Sequence, residues 1–106
     1  MTDRELLQYA AKAAGLGLEW CEAWKCMAKL CADETFAHNS QWHPLVDDGD
    51  AFRLAVTLRL CALWQYNGFL VYSGDEYDKE YDLSDPYAAV RRAITRVAAE
   101  VGRNMR

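Results

Sequence analysis

The 106 residues are the length of a single domain, and a mix of 52% apolar and 26% charged side chains is that of a globular chain rather than a disordered or fibrous one. The longest apolar run, Leu60 to Trp64, falls far short of the ~20 residues that span a bilayer. The opening Met1-Thr2-Asp3-Arg4-Glu5 is charged and helical in character, so neither a membrane protein nor a secreted one is expected. The net charge of −4 hides an asymmetry. Asp75, Glu76, Asp78, Glu80, Asp82 and Asp85 stand against Lys79 alone, whereas the tail carries Arg91, Arg92, Arg96, Arg103 and Arg106 against Glu100. Cys21, Cys26, Cys31 and Cys61 are an even number, but without a signal peptide they are expected as thiols in a reducing compartment.

Thr2 with Glu5 three residues later is a capping box, and the stripe Leu6, Leu7, Ala10, Ala11, Ala13, Ala14 stops at Gly15, which predicts a helix from Asp3 to Ala14. Its alanine-rich face calls for a close neighbour. Leu18 to Cys31 is divided. As a helix, Trp20, Ala23, Trp24, Met27, Ala28 and Cys31 share a face; as strands, Glu22 spoils the alternation, and no Gly, Pro or Asn between Trp20 and Leu30 marks a turn. Periodicity alone favours the helix.

Pro44 keeps His43 extended, Asp47 can cap, Val46 can staple against Ala51, and Ala51, Leu54, Ala55 and Leu58 share one face, which predicts a second helix from about Asp48 to Arg59. Leu60 to Tyr66 and Phe69 to Ser73 are rich in aromatic and branched residues around Asn67-Gly68, the pair that supplies the two positive φ angles of a type I′ hairpin turn. The segment after it, with Tyr77 and Tyr81 among acids, is a candidate third strand. Ser84-Asp85-Pro86 then supplies a cap and an N1 proline, and Val90, Ile94, Val97, Ala98 and Val101 give a third helix, Pro86 to Val101, ended by Gly102. No repeat or linker divides the chain, so residues 1–106 are read as one domain.

Three stretches carry a resemblance. They are Met1 to Leu7 with Ala10 to Gly15, the block Trp42-His43-Pro44-Leu45-Val46-Asp47-Asp48-Gly49-Asp50 running on to Val56, and Asp85-Pro86-Tyr87-Ala88-Ala89-Val90-Arg91-Arg92-Ala93-Ile94. Together, over under half of the chain, they resemble the small, uncharacterised phage and prophage proteins described as a phage α-β-α sandwich domain. The resemblance implies a pair of strands between the first helix and the Trp42 block, hence β structure over Leu18 to Leu30. It implies no activity, cofactor or site residue. The expected fold is therefore α+β: three helices packed on a small, mainly antiparallel sheet made from Leu18 to Leu30, Leu60 to Tyr66 and Phe69 to Ser73.

Cys21, Cys26, Cys31, His38 and His43 have the chemistry of zinc ligands. Five residues turn a helix roughly 140° past a full turn and five is odd for a strand, so neither geometry aligns the three thiols, and no metal is expected. Asp47-Asp48-Gly49-Asp50 is similar to part of a calcium loop, but Leu58 occupies the position that needs Glu. No triad and no glycine-rich phosphate loop can be assembled, so neither an enzyme nor a cofactor is expected.

Most of the rings of Trp20, Trp24, Trp42, Trp64, Tyr66, Tyr72, Tyr77, Tyr81 and Tyr87 are expected in the core, the tryptophans above all. Tyr77 and Tyr81, standing among acids, have the character of contact residues. Two functions fit this reading. One is a phage accessory protein of the bacterial cytoplasm that binds a host protein, for instance to inhibit a defence component, through Asp75, Glu76, Tyr77, Asp78, Glu80 and Tyr81. The competing interpretation of that run is a solvated acidic face. The other is a nucleic-acid accessory protein using Arg91, Arg92, Arg96 and Arg103, although these spread over a wide arc of the helix and the nearby acids oppose phosphate.

Overall fold

Helix α1 (Asp3–Ala14) is closed at both ends as its sequence requires in a computed structural model that describes residues 1–105. The Thr2 hydroxyl accepts from the Glu5 N–H at 3.2 Å, the Glu5 carboxylate accepts from the Thr2 N–H at 3.1 Å, and Gly15 takes the left-handed conformation at φ 67°. The last tail arginine, Arg106, lies outside the described residues.

Leu18 to Cys31 forms a hairpin of β1 (Glu19–Cys21) and β2 (Cys26–Ala28), so its helical period is overridden. The turn works without glycine because Lys25 adopts φ 52° and its ammonium pairs with the Glu22 carboxylate, which also accepts from Trp20 Nε1 at 2.8 Å. Met27 exchanges two backbone bonds with Trp42, at 3.2 and 2.8 Å, and this long-range pairing buries all of β2.

Asp47 caps α2 (Asp48–Leu58) by accepting from the Asp50 N–H at 2.7 Å, while Val46 stays exposed and adds little as a staple. Strands β3 (Cys61–Gln65), β4 (Gly68–Ser73) and β5 (Glu76–Glu80) then form an antiparallel sheet in that order. The β3–β4 turn falls where Asn67-Gly68 places it, but Gln65 pairs with Gly68, so Tyr66 and Asn67 are its loop residues. Neither Asn67 nor Gly68 has a positive φ, which rules out the expected type I′ turn. Gly68 is needed for another reason: a Cβ there would lie 2.5 Å from the Glu80 carbonyl oxygen. The candidate third strand is β5, reached through Gly74 at φ 59°.

Helix α3 (Pro86–Arg103) starts on Asp85, which accepts from the Ala88 N–H at 3.1 Å, and runs through Gly102 rather than stopping there. Gly102 is buried against α1, where a Cβ would overlap the Tyr9 carbonyl. This is the close neighbour that the alanine face of α1 requires.

The α+β class stands, with three helices, but the strands make two separate antiparallel sheets rather than one. The core is built of Leu7, Leu54, Val71 and Val97 with alanines of α1 and α3 and with Phe69 and Trp42. Most of the aromatic set lies outside it: Trp64, Tyr66, Tyr72 and Tyr87 are exposed against expectation, and Tyr77 and Tyr81 are exposed as their setting among acids suggests. The physical reason for Trp64 is that β3 is the sheet's edge, paired to β4, while α3 packs over β4 and β5. No helix among the described residues is long and apolar enough to cross a membrane.

Candidate protein-contact face

Alternation along β5 divides the acidic segment in two. Phe69 and Val71 are buried beneath α3 and stand opposite Glu80 and Asp78, so these two acids and Glu76 share the inner face. There they meet α3. Glu80 pairs with Arg92 Nε and accepts from Arg96 Nη1 at 3.0 Å, Asp78 Oδ1 lies 3.9 Å from Arg96, and Asn104 Nδ2 donates to Glu76 at 3.0 Å. Burial, then a hydrogen bond to Glu80 and that group's charge, push the Asp78 carboxyl up to about 7. Burial also works against charge on Glu80, but hydrogen bonds from Asp78 and Arg92 outweigh it and hold Glu80 below the ordinary value. Below about pH 7 Asp78 therefore holds a proton beside the ionised Glu80, which two guanidinium groups screen.

The other half of the alternation points away from the helices. Tyr77 stands opposite Tyr72, Lys79 opposite Leu70, and these continue across to Cys61 and Leu63 of β3. Tyr81 extends the row, its ring 5.3 Å from the Lys79 ammonium. The buried side chains of this sheet, Phe69, Val71 and Glu80, lie on its inner side, whereas Tyr72, Tyr77, Tyr81 and Leu63 of the outer side are exposed, so the outer face is a platform of tyrosine and leucine with one lysine. Of the six residues singled out from sequence, Tyr77 and Tyr81 lie on this platform and Asp75 is exposed at its rim. Glu76, Asp78 and Glu80 are turned inward. Leu63, Leu70, Tyr72 and Lys79 complete the face but were not legible as part of it, because only the strand register brings them beside Tyr77.

The arginines of α3 are likewise engaged. Arg91 donates to the Leu45 carbonyl at 2.9 Å and to Asp48 at 2.6 Å, Arg92 and Arg96 hold Glu80, and Arg103 lies 3.7 Å from Glu100.

Cys21 and Cys26 are directly opposite in the β1–β2 hairpin, a juxtaposition that spacing within one element could not show. Both are buried thiols, and burial raises the pKa of Cys26. His43 donates its backbone N–H to Asp50 Oδ2 at 3.0 Å, and burial lowers the pKa of its imidazole. Among the described residues no three His, Cys, Asp or Glu side chains are grouped to hold a metal.

Comparison with protein-family models, with curated proteins and with solved structures found no match to this chain.

Proposed function

We propose that this chain is a protein-binding module whose contact surface is the outer face of the β3–β4–β5 sheet. In the phage or prophage setting that the resemblance implies, it acts in the bacterial cytoplasm by occupying a host protein, such as a defence component. The observation that supports this reading is the platform itself: Tyr72, Tyr77 and Tyr81 with Leu63 and Leu70, uncovered by any helix. Tyrosine is enriched at the centres of protein interfaces because a large ring fixes much contact area at little entropic cost. The matching partner surface is flat and largely apolar, with a carboxylate to meet Lys79. Glu76, Asp78 and Glu80 shape the platform from beneath by fixing β5 to α3 and do not themselves meet the partner.

The paired guanidinium groups of α3 offer the nucleic-acid alternative no comparable support. The test is affinity capture from host lysate at low and high salt with wild type, Tyr77→Ser/Tyr81→Ser and Asp75→Ser. Capture is expected to fail for the tyrosine variant while its melting temperature is kept, and to persist for Asp75→Ser at both salt concentrations. Equal capture by wild type and the tyrosine variant would sink the platform as the interface.

A further inference from the structure

The two edges of the three-stranded sheet are treated differently. Edge β5 carries Glu76, Asp78, Lys79 and Glu80, charges that discourage pairing with another strand. Edge β3, Cys-Ala-Leu-Trp-Gln, carries no charge, no proline and no bulge, and all five of its residues are exposed. A two-residue loop closes on a hydrogen-bonded pair, here Gln65 with Gly68, and the alternation of an antiparallel ladder then directs the backbone groups of Cys61, Leu63 and Gln65 to β4. The N–H and C=O groups of Ala62 and Trp64 point outward from the sheet.

We propose that β3 pairs antiparallel with β3 of a second copy of this chain, about a two-fold axis at Leu63, joining two three-stranded sheets into one of six. Leu63 is the midpoint of the strand, so this register pairs all five residues. It sets Ala62 opposite Trp64 of the second copy, so the outward backbone groups exchange hydrogen bonds and a large side chain lies beside a small one. Leu63 meets its own copy as a non-hydrogen-bonded pair, the closer of the two spacings.

Charge favours a second copy as the occupant. The nearest charged residue, Arg59, comes toward Asn67 of the second copy instead of toward its own image, so self-pairing sets no like charges opposite each other. The patch is also large enough. Trp64 leans over a groove of about 500 Å³ shared with Phe52 of α2 and Tyr87 of α3, and these three rings are 56%, 69% and 69% exposed. At about 200 Å² per ring they offer roughly 400 Å² beside the strand. With Leu63, Tyr66 and the strand backbone, the surface approaches the ~800 Å² per partner of a stable interface. The inference does not rest on the partner-binding reading, because the pairing is made by the backbone edge of the sheet and shares only Leu63 with the outer platform.

Sedimentation velocity of the full chain from about 1 to 100 µM tests it, and a concentration-dependent dimer that high salt does not dissociate is expected. Leu63→Lys sets two ammonium groups opposite each other and should weaken the dimer about tenfold or more, with the far-UV spectrum unchanged because the side chain faces solvent. Independently of that variant's folding, Leu63→Cys with Cys31 and Cys61 replaced by serine should form a disulfide-linked dimer under mild oxidation. Tyr77→Cys in the same background should not. A monomer at every concentration, a dimer indifferent to Leu63→Lys, or cross-linking no faster at position 63 than at position 77 would each overturn the proposal.

Discussion

Replacing Asp78 by Asn should change how the stability of this protein depends on pH. The Asp78 side chain is 22% exposed and its carboxyl keeps a proton in the folded protein up to about pH 7, whereas the unfolded chain releases it near 3.8. The folded state therefore binds the extra proton between those values. A raised acid costs nothing below the unfolded value and costs progressively more as pH rises to the folded one, so stability falls with pH across this window. Each unit is ~1.4 kcal/mol, which makes about 2–3 kcal/mol between pH 5 and 7; partial exposure brings this to about 2 kcal/mol. In a domain of this size that is on the order of 10 °C in Tm. Asn keeps an N–H to donate to Glu80 and has no proton to lose. Thermal and urea melts from pH 5 to 8 should show a falling curve for wild type and a flatter one for Asp78→Asn, the gap between them widening by about 2 kcal/mol from pH 5 to 7. His43, whose lowered pKa makes stability rise with pH, is common to both proteins and cancels in the difference. Curves that run parallel from pH 5 to 8 would refute the shared proton.

The glycine in α3 gives the opposite of a propensity effect: Gly102→Ala should destabilise by about 3 kcal/mol in urea melts, although alanine is the better helix former, because the methyl group must push α3 off the Tyr9 carbonyl. Any gain in stability contradicts that packing. Arg59 ends α2 at φ 53° and ψ 45°, so Arg59→Gly should stabilise by about 1 kcal/mol, and a loss on calorimetry would show that the arginine side chain matters more than its backbone. Arg92→Met, which leaves the largely buried Glu80 with Arg96 alone, should cost about 3 kcal/mol; adding Glu80→Gln should recover most of it, and an additive double mutant would mean that the pair is not coupled.

Helix starts were legible because their signals are local. Thr2 with Glu5, Asp47, and Asp85 with Pro86 each act on backbone groups within four residues, and all three caps form. What was not legible depended on distant partners. The β1–β2 turn uses Lys25 in a conformation that composition does not announce, and β2 is held by Trp42 across 15 residues. Asn67-Gly68 located a hairpin through a turn type that the chain does not adopt, since the glycine answers to the Glu80 backbone. Gly102 has the sequence character of a helix stop, yet α1 demands a residue without a side chain there. Counting rings assigned Trp64 to the core, but burial is decided by strand order, and β3 is an edge.

Charge is the clearest case of the difference between position in the chain and position in space. Along the sequence, Asp75 to Asp85 is an acidic run and α3 a basic one, and each suggests a partner of opposite sign. In the fold the middle of each run meets the other: a strand sends alternate side chains to opposite faces, so Asp78 and Glu80 go to Arg92 and Arg96 of α3 and Glu76 to Asn104, while Tyr77, Lys79 and Tyr81 go to solvent. This pairing weakens the long-range attraction that either run would have exerted alone, leaving Asp75, Asp82 and Asp85 as the exposed acids of the segment. What remains for recognition is an aromatic face and an uncharged edge on one sheet, and short-range contacts of this kind make affinity largely indifferent to salt. Their adjacency has a mechanical consequence, since Leu63 belongs to both surfaces: pairing of two copies through β3 would place two tyrosine platforms side by side across the Leu63 axis, so that a two-fold symmetric or repetitive partner would be gripped twice.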